Sequence, residues 1–156
     1  MRRQVLPVAL LLAAIVASAQ QQKPDFSGDR ALNRQASTLS PAMAGVQSGS
    51  LRIQHREPNV SVHLTLVLNG QPFDTVVERT TDGREVATTQ QGRTTASSFT
   101  WDGNALVFAA RAQTQDCEGA VSIRYDLENN ARRIRATEAI RGCGRDQDNI
   151  WVFERP

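Results

Sequence analysis

Hydrophobic and polar residues alternate with a period of two through most of the chain after residue 25, and no stretch shows the spacing of an amphipathic helix. Turn dipeptides such as Asn69-Gly70 and Asp102-Gly103 separate runs rich in Val, Ile, Thr and Phe, which is typical of short strands joined by hairpins. Because nearly every connection is too short for a crossover, the sequence predicts an all-β, antiparallel up-and-down meander. The predicted strands lie at roughly 26–32, 50–57, 60–68, 73–80, 85–90, 93–101, 104–112, 119–127, 132–141 and 149–155.

Residues 33–49 break this pattern. Ser40 followed by Pro41 is typical of an N-cap and the first helical position. The segment is therefore predicted to be either a short helix over about 41–45 or an irregular flap. In a closed barrel it would cover one end.

The alternation assigns one face of each strand to the interior and leaves the other, which carries many arginines, in water. A flat sheet of this size would expose its apolar face and its edges, so the meander must curl or fold into two layers. The simplest solution is a closed up-and-down barrel of about 8–10 strands. Its predicted inward-facing residues are Leu51, Ile53, His55, Val62, Leu64, Leu66, Leu68, Phe99, Trp101, Leu106, Phe108, Ala110, Val121, Ile123, Tyr125, Leu127, Ile134, Ala136, Glu138 and Ile140.

Small side chains such as Ala136 on this inner face favour an internal cavity. A barrel of roughly eight to ten strands is either filled by its own side chains or leaves room for one small ligand, and a filled barrel with small residues at a tapered end is the alternative. Tyr125, His55, Glu138 and Arg79 are candidate polar contacts, although Glu138 beside Arg79 would more simply form a buried ion pair. The predicted ligand-binding residues are Leu64, Leu66, Thr75, Ser97, Phe99, Phe108, Ile123, Tyr125 and Ala136.

The first residues of the chain have the features of an export leader. Arg2 and Arg3 are positive, residues 5–16 are apolar apart from one proline, and an A-x-A motif stands at 17–19. The apolar stretch is shorter than the roughly 20 residues that a spanning helix needs. We therefore expect a cleaved signal peptide at 1–19, no membrane span after cleavage, and a secreted or periplasmic protein.

The remainder is predicted to be a flexible tail at 20–25 and a single barrel domain at 26–156. Loss of Arg2 and Arg3 lowers the 18 basic residues to 16, equal to the 16 acidic residues. The mature protein therefore lacks the basic footprint that nucleic-acid binding requires, and we expect no nucleic-acid partner.

The two cysteines are predicted to form an intramolecular disulfide, because an exported chain meets an oxidising compartment. If the hairpin of 119–127 and 132–141 turns at Asn129-Asn130, Tyr125 lies opposite Ile134. Continuing outward, Cys117 then lies opposite Gly142, one residue from Cys143. Free thiols or an intermolecular bridge are the alternatives; with the bridge intramolecular, we expect a monomer.

No motif points to catalysis or to a metal. In a hairpin that turns at Pro58-Asn59, His55 would face Val62 and His63 would face Gln54, so the two imidazoles point to opposite sides. A shared metal also lacks a third ligand. The sequence contains neither a G-x-S-x-G elbow nor a glycine-rich phosphate loop. We expect no catalytic residue, no metal and no cofactor.

Several segments, in this order and spacing, resemble small secreted bacterial lipocalin-like proteins. They are P-D-F-S-G at 24–28, I-Q-H-R-E-P-N at 53–59, T-T-D-G-R-E at 80–85, W-D-G-N-A-L-V at 101–107 and W-V-F-E-R at 151–155. The resemblance spans almost the whole mature chain and implies a calycin-type barrel, but no particular activity.

One position departs from the lipocalin pattern, which usually has a tryptophan two residues after the first-strand glycine. Here Gly28 is followed by Asp29 and Arg30. Arg30 either reaches under the barrel with its guanidinium, or the strand is displaced.

The function we expect is binding of a small apolar or amphipathic molecule inside the barrel. A protein-interaction or inhibitor-like barrel without a ligand cavity is the alternative, and an enzyme that uses the cavity is the third.

Overall fold

The computed structural model describes residues 22–156, which form ten strands in one antiparallel sheet. The predicted all-β meander is confirmed. The predicted signal peptide at 1–19, and residues 20–21 of the predicted tail, lie outside the described residues. The strands are β1 (Gly28–Leu32), β2 (Val46–Arg56), β3 (Asn59–Leu68), β4 (Gln71–Thr80), β5 (Val86–Gln90), β6 (Arg93–Asp102), β7 (Ala105–Gln113), β8 (Glu118–Glu128), β9 (Arg133–Gly142) and β10 (Gln147–Glu154).

The sheet curls into a nearly closed barrel. Its strand order is β4-β3-β2-β1-β10-β9-β8-β7-β6-β5, so the first strand pairs with the last and the two edges are β4 and β5. Across the gap between these edges, Arg79 Nε donates a hydrogen bond to Ser97 Oγ at 3.0 Å. This side-chain contact links β4 to β6 where the backbone ladder is interrupted.

The segment between β1 and β2 is mostly irregular. Its helical element is a 3₁₀ turn at Pro41–Met43, so both predicted alternatives are found in part: a short helix begins at Pro41 as predicted but ends earlier, and the rest is an irregular flap. Thr38 and Ile150 exchange backbone hydrogen bonds of 2.8 and 2.7 Å, which fasten the segment to β10. We call residues 33–45 the flap, and the end of the barrel that carries it the mouth.

The predicted register of β2 and β3 is wrong by two residues. His55 lies opposite Val60 rather than Val62. The cause is that the turn consists of residues 57–58 instead of 58–59, and moving a turn by one residue moves every pairing by two. Because side chains alternate with a period of two, the slip leaves each residue on its predicted face.

The predicted register of β8 and β9 is wrong in the same way. Tyr125 lies opposite Ala136, not Ile134. Asn129, Asn130 and Ala131 all have positive φ, of 51°, 53° and 64°, and with Arg132 they make a four-residue turn, whereas the sequence predicts a two-residue turn. Again the inward and outward faces are preserved.

The predicted disulfide is confirmed: Cys117 and Cys143 are bonded, with a Cα–Cα distance of 5.4 Å. The corrected register places Gly119, not Cys117, opposite Gly142. The chain still brings the sulfurs together because Gly142 and Cys143 turn back through positive φ values of 83° and 55°. The bridge lies at the mouth.

The best-packed part of the interior lies toward the floor, the end opposite the mouth. Phe26, Leu106, Ile134 and Phe153 are each at most 2% exposed. Toward the mouth, by contrast, the inward-facing residues of β4 and β5 are partly or fully exposed, and Phe73 on β4 is 52% exposed. The barrel therefore has a filled floor and a looser upper half.

Candidate ligand-binding cavity

The upper half of the barrel contains an apolar cavity of about 380 Å³. It is bounded below by Phe153 and Tyr125 and reaches the mouth at Met43 of the flap. The β-strands position its walls, because each contributes alternate residues to the interior. The lining residues are Met43, Leu51, Leu64, Leu66, Leu68, Phe73, Ile123, Tyr125, Ala136, Glu138, Ile140, Arg145, Trp151 and Phe153.

Ala136 has the smallest side chain among the residues that line the cavity. On β9 it lies between Tyr125 of β8 and Trp151 of β10, with which it is paired in register. Its side chain is 2% exposed. A methyl group between two large aromatic residues leaves unfilled volume that a larger residue would occupy.

Five of the nine residues predicted for ligand binding line this cavity: Leu64, Leu66, Ile123, Tyr125 and Ala136. The other four, Thr75, Ser97, Phe99 and Phe108, also face inward but do not line it.

These four residues occupy the side of the barrel nearest the gap. Phe99 packs between Phe108 and Tyr125 with its ring tilted to both, at centroid distances of 5.1 and 6.5 Å, and fills the space itself. Ser97 is bonded to Arg79. Thr75 lies on edge strand β4. Inward direction alone was the sequence signal, and it does not distinguish packed positions from hollow ones.

Glu138 is the acidic group in the cavity wall. Its Oε2 accepts hydrogen bonds from Asn149 Nδ2 at 2.8 Å and Trp151 Nε1 at 2.9 Å. The suggested ion pair with Arg79 is wrong: Arg79 bonds to Ser97 near the gap. The sequence placed Glu138 on the inner face, but could not supply its partners, because they depend on how β9 and β10 align.

The network around Glu138 extends to the flap. Asn149, only 1% exposed, accepts a hydrogen bond at 2.7 Å from the backbone N–H of Ser40. The side chain of Asn149 therefore connects the flap backbone to the acidic group of the cavity. Both of its polar atoms are engaged, which fixes its orientation.

Tyr125 is the second polar group facing the cavity. Burial, reinforced by the negative charge of Glu138, raises the pKa of its phenol well above the usual value. The phenol therefore stays neutral at physiological pH. It offers a hydroxyl that can donate or accept a hydrogen bond.

At the mouth, Arg145 contributes the one basic side chain among the described residues that line the cavity. It is exposed and lies in the loop between β9 and β10, next to the disulfide. No sequence signal singled it out, since it stands outside any alternating strand. Leu68 and Ile140 do lie on predicted inner faces, so alternation was able to identify them.

The floor is closed by a polar cluster beneath the apolar core. The His55 ring accepts a hydrogen bond at Nδ1 from the Phe26 N–H at 3.4 Å, and its Nε2 donates to Glu57 Oε1 at 2.8 Å. Glu57 also accepts from Thr81 Oγ1 at 2.8 Å and Trp101 Nε1 at 3.0 Å. Burial would raise the pKa of Glu57, but these hydrogen bonds outweigh it and hold that pKa below its usual value.

Arg30 lies under the barrel. It is 2% exposed, and its guanidinium donates to the carbonyls of Phe26 at 3.1 Å and Ala131 at 2.8 Å. Arg30 therefore reaches under the barrel with its guanidinium, which is the first of the two alternatives given for this departure from the lipocalin pattern. Burial lowers the pKa of this guanidinium. Its two carbonyl partners tie β1 to the β8–β9 turn.

The two histidines do face opposite sides, as predicted. His55 is buried, whereas His63 lies outside, opposite Arg52 rather than Gln54, and bonds to Asp74. Within residues 22–156, no group of three His, Cys, Asp or Glu side chains is placed to hold a metal ion. No helix in that part of the chain is long and apolar enough to cross a membrane.

A larger depression of about 1000 Å³ lies near the gap, but it is open to solvent and lined largely by charged and polar residues such as Arg52, Arg56 and Arg84. The smaller cavity is better enclosed and mostly apolar. Enclosure and apolar walls are the usual properties of small-molecule sites, so we take the interior cavity as the candidate site.

Comparison with known proteins shows structures of the same fold but no matching protein family. No protein-family model and no curated sequence matches the chain. Among solved structures, secretory abundant heat soluble protein 4 from Ramazzottius varieornatus aligns with a TM-score of 0.56 at 12% identity, covering 87% of this chain and 99% of that one.

Two further structures are similar to the same degree. Human cRBP IV has a TM-score of 0.54 at 14% identity over 85% of this chain and 99% of that one. A mutant of the REP1-NXSQ fatty acid transporter has a TM-score of 0.53 at 14% identity over 84% and 98%. The chain is therefore a calycin-type, lipocalin-like β-barrel, as the resemblance implied.

Proposed function

We propose that this barrel binds one small apolar or amphipathic molecule in the cavity of its upper half. The observation that carries the proposal is the cavity itself: a partly enclosed space of about 380 Å³ with mainly apolar walls and two inward polar groups, Tyr125 and Glu138. Small-molecule sites typically measure about 300–1,000 Å³ and combine apolar walls with a few placed polar groups. The volume therefore fits a single small ligand.

The similar structures add support of a limited kind. One of them is described as a fatty acid transporter, which shows that a barrel of this fold is compatible with carrying a lipid. No described group of residues suggests a reaction, so we propose a binding protein rather than an enzyme. We further propose that the protein acts outside the cytoplasm, which the disulfide and the leader motif support.

Ala136→Phe is the variant that tests the proposal. Its ring would occupy the space between Tyr125 and Trp151, so affinity for a neutral hydrophobic dye such as N-phenyl-1-naphthylamine should fall by roughly tenfold or more, as expected when a buried apolar contact area is removed. Ala109→Phe is the matched control, because Ala109 is exposed on the outer face of β7. It adds the same ring without entering the cavity.

The stability of Ala136→Phe supplies a second readout. Inserting bulk into a filled core costs about 1–3 kcal/mol, whereas a ring that enters an empty cavity should be tolerated at little cost. Weakened dye binding with unchanged stability supports the proposal. Dye binding that is the same in both phenylalanine variants would place the dye outside the barrel and refute it.

A further inference from the structure

Glu138 is an acidic side chain in a mostly apolar cavity wall. None of the ion pairs formed within residues 22–156 includes it. Its hydrogen-bond donors, Asn149 and Trp151, are both neutral. Glu138 is partly buried, so its carboxylate is less hydrated than one at the surface and gains more from an opposite charge. The missing element is a cation.

The carboxylate is also held in place. Both neutral donors bind the same oxygen, Oε2. Asn149 is fixed in turn by Ser40 of the flap, and Trp151 is 6% exposed in the cavity wall. A side chain restrained through one oxygen can present the other to a ligand at little further entropic cost. The acceptor is therefore preorganised.

We propose that the preferred ligand carries a protonated primary or secondary amine on an apolar body, and that its ammonium group pairs with Glu138. This inference rests on the proposed function and specifies its ligand class. The ammonium supplies the missing charge and donates to the carboxylate, and the phenol of Tyr125 is a neighbouring acceptor. The apolar body packs on Leu64, Leu66 and Ile123, which line the same cavity.

A ligand with a carboxylate head is the competing class. It would be repelled by Glu138 and would have to place its head at Arg145, at the mouth. Arg145 is exposed, whereas Glu138 is partly buried, so water and salt screen an ion pair at Arg145 more than one at Glu138. The balance of charge therefore favours the amine.

The test compares decylamine, decan-1-ol and decanoate as competitors of N-phenyl-1-naphthylamine at neutral pH, where the amine is protonated. These molecules share one apolar chain and differ in the head group. A charged hydrogen bond should make decylamine bind on the order of tenfold more tightly than decan-1-ol, with decanoate weakest. In Glu138→Gln the ratio of decylamine affinity to decan-1-ol affinity should fall to about one, because the neutral amide removes the negative charge that pairs with the ammonium.

Glu78→Gln is the matched control. Glu78 is exposed on the outer face of β4, so the variant removes the same charge away from the cavity and should keep the preference for the amine. A second measurement uses the wild-type protein alone. N-decylacetamide retains an N–H donor without the charge, and it should bind about tenfold more weakly than decylamine. This comparison keeps the test valid should Glu138→Gln not fold.

The measurements distinguish a failure of the amine inference from a failure of the proposed function. If the dye is displaced and Ala136→Phe weakens its binding, but decylamine shows no advantage or keeps it in Glu138→Gln, the amine inference is overturned and the cavity function stands. A preference for decanoate that is lost in Arg145→Ala would also overturn it. If no competitor displaces the dye and both phenylalanine variants bind it like the wild type, the proposed function itself fails.

Discussion

Cys117 and Cys143 close a loop of the chain at the mouth of the barrel, with a sequence separation of 26. Replacing both with serine removes the cross-link without leaving a free thiol. In the chain-entropy model, closing a loop of about 26 residues lowers the entropy of the unfolded chain by about 12 cal/mol/K, or about 3.5 kcal/mol at about 25 °C. We expect the double variant to lose about 3–4 kcal/mol in the free energy of unfolding.

The folded state should change much less than the unfolded state. The two loops joined by the bridge have hydrogen bonds of their own: Thr114 N–H donates to the Cys117 carbonyl at 3.0 Å, and Gly142 N–H donates to Asp146 Oδ1 at 2.8 Å. The cavity walls lie on strands that pair without the bridge. The double serine variant should therefore keep the dye affinity of the wild type at temperatures where it is folded.

Urea unfolding followed by far-UV circular dichroism measures the effect, with the reduced wild-type protein as an internal control. Reductant should lower the wild-type stability to that of the double variant and leave the double variant unchanged. A loss below about 1 kcal/mol would refute the reasoning, because it would mean that the unfolded chain gains little freedom when the loop opens. Loss of dye binding in folded variant protein would instead show that the bridge shapes the mouth.

Two further predictions concern the floor and the leader. Glu57→Gln should cost about 1 kcal/mol at neutral pH, since the carboxylate accepts three hydrogen bonds but is 43% exposed. Folding lowers the pKa of Glu57, so the stability that its carboxylate contributes is present above the unfolded pKa and is lost as the pH falls through the folded pKa. The variant should therefore lose less stability than the wild type between about pH 5 and about pH 3. Equal losses in urea titrations would contradict this. The intact mass of exported protein should correspond to a chain that begins at Gln20, and a mass that retains residues 1–19 would contradict the cleavage.

The faces of the strands were predictable because they depend on local chemistry. Alternation of apolar and polar residues placed Leu66, Ile123 and Ala136 inside without any knowledge of pairing. It was also robust: both register errors were of two residues, which preserves every face. The position and length of the turns were not predictable in this way. A shift of the turn by one residue changes every pairing of β2 with β3, and the three left-handed residues 129–131 change every pairing of β8 with β9.

The disulfide was predictable for a different reason. With two cysteines in a chain expected to be exported, composition allowed only one intramolecular pairing, so the prediction survived an incorrect register. The role of Arg30 was only partly accessible. The departure from a tryptophan is visible in the sequence, but its carbonyl partner on Ala131 lies 101 positions away, and only the closed barrel brings the two together.

The sequence by itself therefore determined the all-β class, the inward faces and the cysteine pair, because each depends on residue type or on a short-range period. The tertiary structure decided where the barrel is filled and where it is hollow. Volume depends on which side chains meet across the interior: Phe99 meets Phe108 and Tyr125 and fills its space, whereas Ala136 lies between two aromatic residues and leaves a cavity. The same long-range packing gives Glu138 two neutral hydrogen-bond donors and, within residues 22–156, no ion pair, which makes it the chemically distinctive group of the site.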